Sequence, residues 1–461
     1  MPLTIPDGLV VSVSGFRGRV GDPLTPELVC GLSAAYGAFL KTTRKESRVL
    51  IGRDTRTSGQ MLAAAAAAGL MSVGCDVVDL GVVATPTLML AVGAGQAGGG
   101  IEVTASHNPA EWNALKFAAP EGTFLDSATM ESFLDYALSE EVPRAAWDGL
   151  GGLTEDSEAT ERHLEAVLSL PSLDGDAVRA RAFTVALDCV RGAGAILMLP
   201  LLDALGCRVV AINTEMDGRF PRDPEPTAAN LGDLCNLVAR EGADLGFAVD
   251  PDVDRLSLVN EKGVALGEDL TLALAAAAVL RRTTGVVVTN LSTSQAVEDV
   301  VRAYDGTVVR APVGEINVAR AMQAEGAVVG GEGNGGVIFP ELHHTRDAAV
   351  AAALILQNLV DEGSSLSEAA GRWPEYAIVK RKLSFPRESL PDAYRALEGD
   401  LESETIDRSD GLRLSWSKRK AWLHVRPSGT EPIIRLIAEA PDRAAAEQLI
   451  QRAERIFKGV I

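Results

Sequence analysis

Aromatic residues are scarce in this chain, at 5% of 461 residues, so its cores must be filled mainly by Ala, Val and Leu. Long apolar runs are missing as well: none reaches the roughly 20 residues that cross a bilayer, and no membrane partner is expected. The first residues, MPLTIPDG, carry no basic region followed by an apolar one, so no signal peptide is expected. Cysteine is rare, five in all. That odd number without paired spacing fits free thiols in a reducing cytoplasm better than a disulfide framework. No basic tract stands out against a formal net charge of −20, which argues against a nucleic-acid partner. A phosphorylated ligand would have to be drawn into a locally positive cleft, so arginines and lysines inside motifs carry more weight than scattered ones.

What is present is globular: 47% of residues are apolar and the mean hydropathy is +0.12. The length exceeds what one core serves. Three segments repeat a β-branched run, a polar or glycine-rich turn and a helix-like stretch, starting at Arg48, Phe183 and Gly285. Each reads as a buried strand feeding a helix, the unit of a parallel α/β sheet. The C-terminal part differs. AWLHVRPSGTEPIIRLIAEA predicts a hairpin turning at Pro427 and Gly429. After it, Ala446, Leu449, Ile450, Ala453, Ile456 and Phe457 follow the period of an amphipathic helix. Linkers are expected at Glu140–Gly152 and Asp361–Glu375, where breakers and polar residues cluster. The expected units are therefore residues 1–147, 148–255, 256–370 and 371–461.

Four motifs carry chemistry. TASHNP places Ser106 beside His107, with Lys116 ten residues on. A serine hydroxyl is a weak nucleophile without activation, and the stretch alone favours a turn in which Ser106 and Asn108 bond to backbone. DPDVDR alternates Asp250, Asp252 and Asp254, whose side chains would point to one side of an extended strand. Crowded carboxylates repel unless a cation neutralises them, and three oxygen ligands with open positions suit Mg²⁺. An EF-hand is excluded because Arg255 stands where its loop needs glycine, although Glu261 falls at its last position. GGEGNGG offers Glu332, Gly333 and Asn334, a carboxylate beside an amide that can hold two neighbouring sugar hydroxyls; a plain hairpin explains the glycines equally well. RPSGTEP offers Arg426, Ser428, Gly429 and Thr430 as a donor set for phosphate. SGFRGR (Arg17, Arg19) and GRDTRTS (Arg53, Arg56) add positive charge.

In this order, the motifs resemble the α-D-phosphohexomutase family, which includes phosphoglucomutases, phosphomannomutases and phosphoglucosamine mutases. The resemblance covers essentially the whole chain and takes in DGRFPRDPEPTAANL, Asp217–Leu231, which looks like the family's second-domain signature. It implies three similar α/β domains with mixed sheets plus a C-terminal α+β domain around a central active-site cleft. It implies that Ser106 carries a phosphoryl group and that Asp250, Asp252, Asp254 and a phosphoserine oxygen hold Mg²⁺. Lys116 is then the general acid/base candidate and Arg255 steadies the reacting group, with His107 and Arg17 completing the expected catalytic set. Glu332, Gly333 and Asn334 would grip the sugar. Arg426, Ser428, Gly429, Thr430 and Arg435 would hold the phosphate that is not reacting. The substrate is a hexose phosphate and a hexose 1,6-bisphosphate is both intermediate and activator; a monomer or homodimer is expected.

Two departures stand out. Many relatives have a histidine where this chain has Gly336, so a proton-transfer role there has no owner; His343 or His344 is expected to compensate. The stretch APVGEINV has Glu315 and Asn317 where many relatives place a basic residue or histidine after the glycine. This less basic sugar site leans toward glucosamine phosphates, with glucose and mannose phosphates as alternatives. A haloacid-dehalogenase-like phosphatase using Asp250 and a non-catalytic sugar-phosphate sensor stay open at this point, although the first leaves the serine and RPSGTEP loops unexplained.

Overall fold

Each of the three strand-turn-helix segments forms an inner strand of its own sheet in the computed structural model, which describes residues 3–139, 141–427 and 433–460. The first sheet contains β1 (Val10–Ser12), β2 (Gly15–Arg19), β3 (Arg48–Arg53), β4 (Asp76–Val82), β5 (Gly99–Val103), β6 (Trp112–Ala118) and β7 (Leu153–Glu155). Their spatial order is β1-β2-β6-β5-β3-β4-β7. The second contains β8 (Thr184–Asp188), β9 (Arg208–Ile212), β10 (Leu245–Val249) and β11 (Leu256–Asn260), ordered β11-β10-β8-β9. The third contains β12 (Val286–Asn290), β13 (Thr307–Ala311), β14 (Val329–Glu332) and β15 (Gly336–Ile338), ordered β15-β14-β12-β13 when read from the same end.

The three share one plan. A central strand (β3, β8 or β12) lies parallel to a neighbour on each side, and one of those neighbours turns back into an antiparallel strand. The turn-back falls between β5 and β6, between β10 and β11, and between β14 and β15. The serine, aspartate and sugar loops occupy these three equivalent places. One geometric position, repeated three times, thus delivers three different chemistries to one cleft.

Domain boundaries differ from the sequence expectation in two places. β7 pairs in parallel with β4, so the first sheet continues past residue 147 to Glu155. β11 pairs with β10 along its whole length, so the boundary expected after Arg255 falls inside a hairpin and the second sheet continues to Asn260. Backbone pairing outweighs the change in sequence character that the DPDVDR loop suggested.

The second and third units share a core. The helix Asp269–Leu280, DLTLALAAAAVL, is apolar on all sides, and every residue from Thr271 to Leu280 is buried. Such a helix must be covered all round; it packs in the same cluster as Val185 and Phe247 of the second sheet and Val287 and Val329 of the third. The fourth unit has a core of its own. Its strands β16 (Ala377–Ser384), β17 (Thr405–Asp407), β18 (Leu412–Trp416), β19 (Ala421–Pro427) and β20 (Ile433–Ala440) form an antiparallel sheet ordered β16-β20-β19-β18-β17. The helix Arg443–Val460 buries Ala446, Ile450, Ala453 and Phe457 against it, the face its sequence period marks. The hairpin expected around RPSGTEP is β19 and β20; Ser428, Gly429 and Thr430 lie outside the described residues. All five cysteines are free, and among the described residues no helix is long and apolar enough to cross a membrane.

Candidate active site

Ser106 sits in the β5–β6 loop with φ +49°, in the left-handed region that a side chain adopts only when its surroundings hold it there. What holds it is Arg56. This fully buried guanidinium donates to the carbonyls of Ser106 (2.6 Å), Asn108 (2.7 Å), Pro109 (2.7 Å) and Trp112 (3.0 Å). Asp54 neutralises it through a 3.0 Å pair and accepts the hydroxyl of Thr104 at 2.6 Å. Thr104 Oγ1 in turn accepts the amide of Ser106 at 3.0 Å. The Ser106 hydroxyl donates to Asp250 Oδ2 at 2.9 Å and lies 3.3 Å from Nδ1 of His107. The positive charge of Arg255, with burial, holds the His107 ring well below the usual histidine range, so the ring beside the serine is neutral at pH 7.

The aspartates converge differently from the extended arrangement the alternation suggested. Val253 has φ +62°, and Asp250 Oδ1 accepts the amides of Asp254 (3.1 Å) and Arg255 (3.2 Å). The loop is a tight turn wrapped around one carboxylate. All three aspartates are fully buried, and one oxygen of each lies within 4.8 Å of the others. Burial, with Asp254 and Asp252 beside it, pushes Asp250 well above the carboxylate range. Burial acts the same way on Asp252, but Lys116, at 2.7 Å, overcomes it and holds that carboxyl well below. Thr85 also donates to Asp252, at 2.7 Å. Asp252 Oδ1 and Asp254 Oδ1 are buried without any hydrogen-bond partner. Orphaned carboxylate oxygens are costly, and two of them beside a third carboxylate and a hydroxyl form the hard-oxygen donor set that fits a divalent cation such as Mg²⁺.

Ser106, His107, Lys116, Arg17 and Arg255 line one cleft of about 630 Å³ together with Glu332, Gly333, Asn334, Arg426 and Arg435. The expected catalytic, sugar-binding and phosphate-binding residues inside the described range, other than the three buried aspartates, are therefore on its wall. Arg17 donates to Asn108 Oδ1 at 2.6 Å, and Arg255 approaches Glu225 at 3.4 Å and Asp254 at 3.6 Å. Burial opposes the charge on Lys116, but Asp252 and Asp254 more than offset it and raise its pKa; it faces the cleft protonated. Three donors fix the orientation of Glu332: it accepts Asn290 Nδ2 (2.8 Å), the Gly314 amide (3.1 Å) and Arg346 Nη1 (2.8 Å).

Lys380, Lys382, Glu225 and Arg346 line the cleft without having been singled out in the sequence. Lys382 of β16, Arg435 of β20 and Arg426 of β19 stand in register across three neighbouring strands. Like charges placed directly opposite repel, which favours an anion lying across the row. The Arg346 guanidinium reaches Asp254, Glu332 and Glu315. The expected compensation by His343 or His344 is not borne out. His343 is tied to Asp347 at 2.9 Å beside the buried His163, and neither His343 nor His344 lines the cleft. Glu315 does line it, whereas Asn317 bonds back to the Val313 carbonyl. The haloacid-dehalogenase-like alternative finds no support: Asp250 is fully buried beneath Ser106 and does not reach the cleft wall.

Four family profiles match in chain order. "Phosphoglucomutase/phosphomannomutase, alpha/beta/alpha domain I" matches residues 9–141, domain II 161–263, domain III 267–376 and the C-terminal domain 379–456. A probable phosphoglucosamine mutase of Methanopyrus kandleri is 39% identical over 96% of this chain and 96% of its own length. A phosphoglucomutase/phosphomannomutase of Thermococcus kodakarensis is 36% identical over 98% and 99%. Among solved structures, a phosphoglucomutase/phosphomannomutase family protein of Burkholderia thailandensis superposes with a TM-score of 0.85 at 25% identity, covering 98% of both chains. An Aspergillus fumigatus N-acetylphosphoglucosamine mutase, solved with GlcNAc-6P and magnesium, shares the fold at a TM-score of 0.62 and 15% identity, over 98% of this chain and 95% of its own.

Proposed function

This chain belongs to the phosphoglucomutase/phosphomannomutase family, a family of isomerases that work by phosphotransfer, and we propose that it moves a phosphoryl group between the C6 and C1 oxygens of a hexose phosphate through phosphorylated Ser106 and a bisphosphate intermediate. The observation that carries this reading is the hydrogen bond from Ser106 Oγ to Asp250, whose neighbours Asp252 and Asp254 each keep an orphaned carboxylate oxygen.

Ser106, Asp250, Asp252 and Asp254 would hold Mg²⁺, which when bound offsets charge on the transferring phosphoryl group. The protein's share is placement and electrostatics. In the first half-reaction the P–Oγ bond of phosphoserine breaks as a bond from phosphorus to the sugar oxygen forms. Lys116, protonated beside Asp252 and lining the cleft with the serine, gives its proton to Ser106 Oγ as the P–Oγ bond breaks and is reprotonated by the sugar hydroxyl. Arg255 and Arg17 offset charge on the phosphoryl oxygens. The bisphosphate then turns over, and its other phosphate returns to Ser106 by the reverse step. The row of Arg426, Arg435 and Lys382, with Ser428, Gly429 and Thr430, holds whichever phosphate is not reacting. Glu332, Gly333 and Asn334 grip the sugar ring.

Glucosamine phosphate is the preferred substrate in this reading. Glu225, Glu315 and Glu332 stand among the arginines and lysines that line the cleft, and a glutamate within reach of C2 would suit an ammonium there. Coupled assays with 6-phosphates of glucosamine, N-acetylglucosamine, glucose and mannose, run with Mg²⁺ and a hexose 1,6-bisphosphate, test it. The highest kcat/KM is expected on glucosamine 6-phosphate; equal rates on all four would replace that preference with broad specificity and leave the mutase reading standing. Full turnover by Ser106→Ala would end the mechanism.

A further inference from the structure

Two features that set this chain's cleft apart, Gly336 and Glu315, converge on a third residue. A Cβ at position 336 would lie 2.2 Å from Cδ and 2.9 Å from Cγ of Arg346, far inside van der Waals contact. The side chain of Arg346 therefore occupies the space into which residue 336 would project, and glycine is what admits it. From there the buried guanidinium reaches three carboxylates from three parts of the chain. It pairs with Glu332 of the sugar loop at 2.8 Å, with Asp254 of the aspartate turn, and with Glu315 at 3.2 Å. Glu315 also accepts the backbone amide of Arg346 at 3.0 Å, fixing the residue at both ends.

We propose that Arg346 is a positioning residue that sets the sugar-binding loop against the phosphoryl-transfer centre, bridging Glu332 to Asp254 through space that Gly336 leaves open. The inference rests on the mutase reading of this cleft and assigns that cleft a part the sequence motifs did not contain. Its logic is charge and reach. The planar guanidinium has five donors in a fixed fork, so one side chain can hold two carboxylates of separate loops at a set distance, which a lysine ammonium on a flexible stem does less rigidly. Glu315 completes the arrangement by supplying a third negative partner where a basic residue would repel Arg346. Burial acts against a charge at Arg346, but Asp254, Glu315 and Glu332 overcome it and hold the guanidinium firmly protonated.

The test uses the full-length protein and three variants, Arg346→Met, Arg346→Lys and Gly336→Ala. Binding of glucosamine 6-phosphate is measured by calorimetry on a Ser106→Ala background, and kcat/KM on the Ser106 proteins. Losing charge-assisted hydrogen bonds predicts a roughly 10–100-fold fall for Arg346→Met, with part of it regained in Arg346→Lys. Gly336→Ala is expected to fall comparably although it alters no charge, because its methyl group evicts the guanidinium. Adding Glu332→Gln to Arg346→Met should cost less than the product of the single effects, since both cut one link. Binding and kcat/KM within twofold of wild type in both Arg346→Met and Gly336→Ala would overturn the proposal. Should Arg346→Met fail to fold, leaving three buried carboxylates uncompensated, Gly336→Ala carries the test. A crystal structure of Gly336→Ala gives a readout that does not depend on the reaction: the guanidinium displaced from Glu332 and Asp254 supports the bridge, and an unmoved one refutes it. Absence of wild-type turnover on every hexose phosphate would instead count against the mutase reading.

Discussion

The buried guanidinium of Arg56 donates to the carbonyl of Ser106 at 2.6 Å from a position fifty residues earlier in the chain. Three more carbonyls of the same loop converge on it, so the strained backbone of the serine is imposed by a residue of the neighbouring β3–helix turn. A nucleophile held in advance loses no entropy on the way to the transition state. Arg56 is thus to the serine loop what a template is to a cast: the shape persists only while it is there.

Replacing Arg56 with lysine keeps the charge beside Asp54 and removes the fork that spans four carbonyls. Each lost charge-assisted bond is worth about 1.5–3 kcal/mol, so the variant should denature at lower urea concentration and lose at least tenfold in kcat. A variant with wild-type kcat would show that the loop keeps its shape unaided.

Lys116→Met removes the protonated group that shares the cleft with Ser106 and leaves Asp252 without its cation. Positioned proton transfer typically contributes 10²–10⁴-fold, and kcat should fall by about that factor while KM for the hexose phosphate changes little. Stopped-flow turnover beside an intact-mass assay for phosphoserine separates the steps: phosphate should accumulate on Ser106 and leave slowly. Unchanged kcat would take Lys116 out of the proton relay.

Much of this was legible in the sequence, and the reason is local. The central strands β3, β8 and β12 are short β-branched runs ahead of turns, and the helix Arg443–Val460 has a strict apolar period; such signals need only neighbours along the chain. The four loops were legible because each concentrates its chemistry in a few adjacent residues. Arg346 was not, because a single arginine before a helix-capping aspartate looks like any surface residue, and its role depends on carboxylates contributed by Asp254, Glu315 and Glu332 across the fold. The Lys382–Arg435–Arg426 row was hidden likewise, since register between strands sets it. The turn around Asp250 was misread as extended because alternation of like residues does not distinguish a strand from a loop wrapped about one side chain.

Aromatic scarcity makes the first core vulnerable. Phe133 is fully buried and its ring lies within 6.2 Å of the rings of Phe16, Tyr36, Phe39 and Phe117. A chain with 11 Phe in all has placed four of them here, around the sheet that carries Ser106. Phe133→Ala should destabilise this unit by about 3–5 kcal/mol, read as a shifted first transition in urea while the fourth unit, with its own core, unfolds as before. A single unshifted transition would show that the cluster contributes little.

Acid should weaken the tie between the third and fourth units before it unfolds either. His424 of β19 is fully buried; its Nε2 lies 2.7 Å from the Asp410 carbonyl and its Nδ1 2.8 Å from the Ser292 hydroxyl. The carbonyl can only accept, so Nε2 carries the proton and Nδ1 accepts from Ser292. Burial, assisted by Arg426 and Arg413 against the pull of Asp410, lowers this histidine to about 4. In the unfolded chain it titrates near 6.5. Between those values the unfolded state binds the extra proton, so stability rises with pH across that window. The contribution is complete above about pH 6.5 and is lost progressively as pH falls toward 4, on the order of 3 kcal/mol in all. Urea melts of the wild type between pH 4 and 7 should show this slope. His424→Gln, which offers an amide donor and a carbonyl acceptor without titrating, should flatten it, and an equal slope in both proteins would assign the acid sensitivity to other groups.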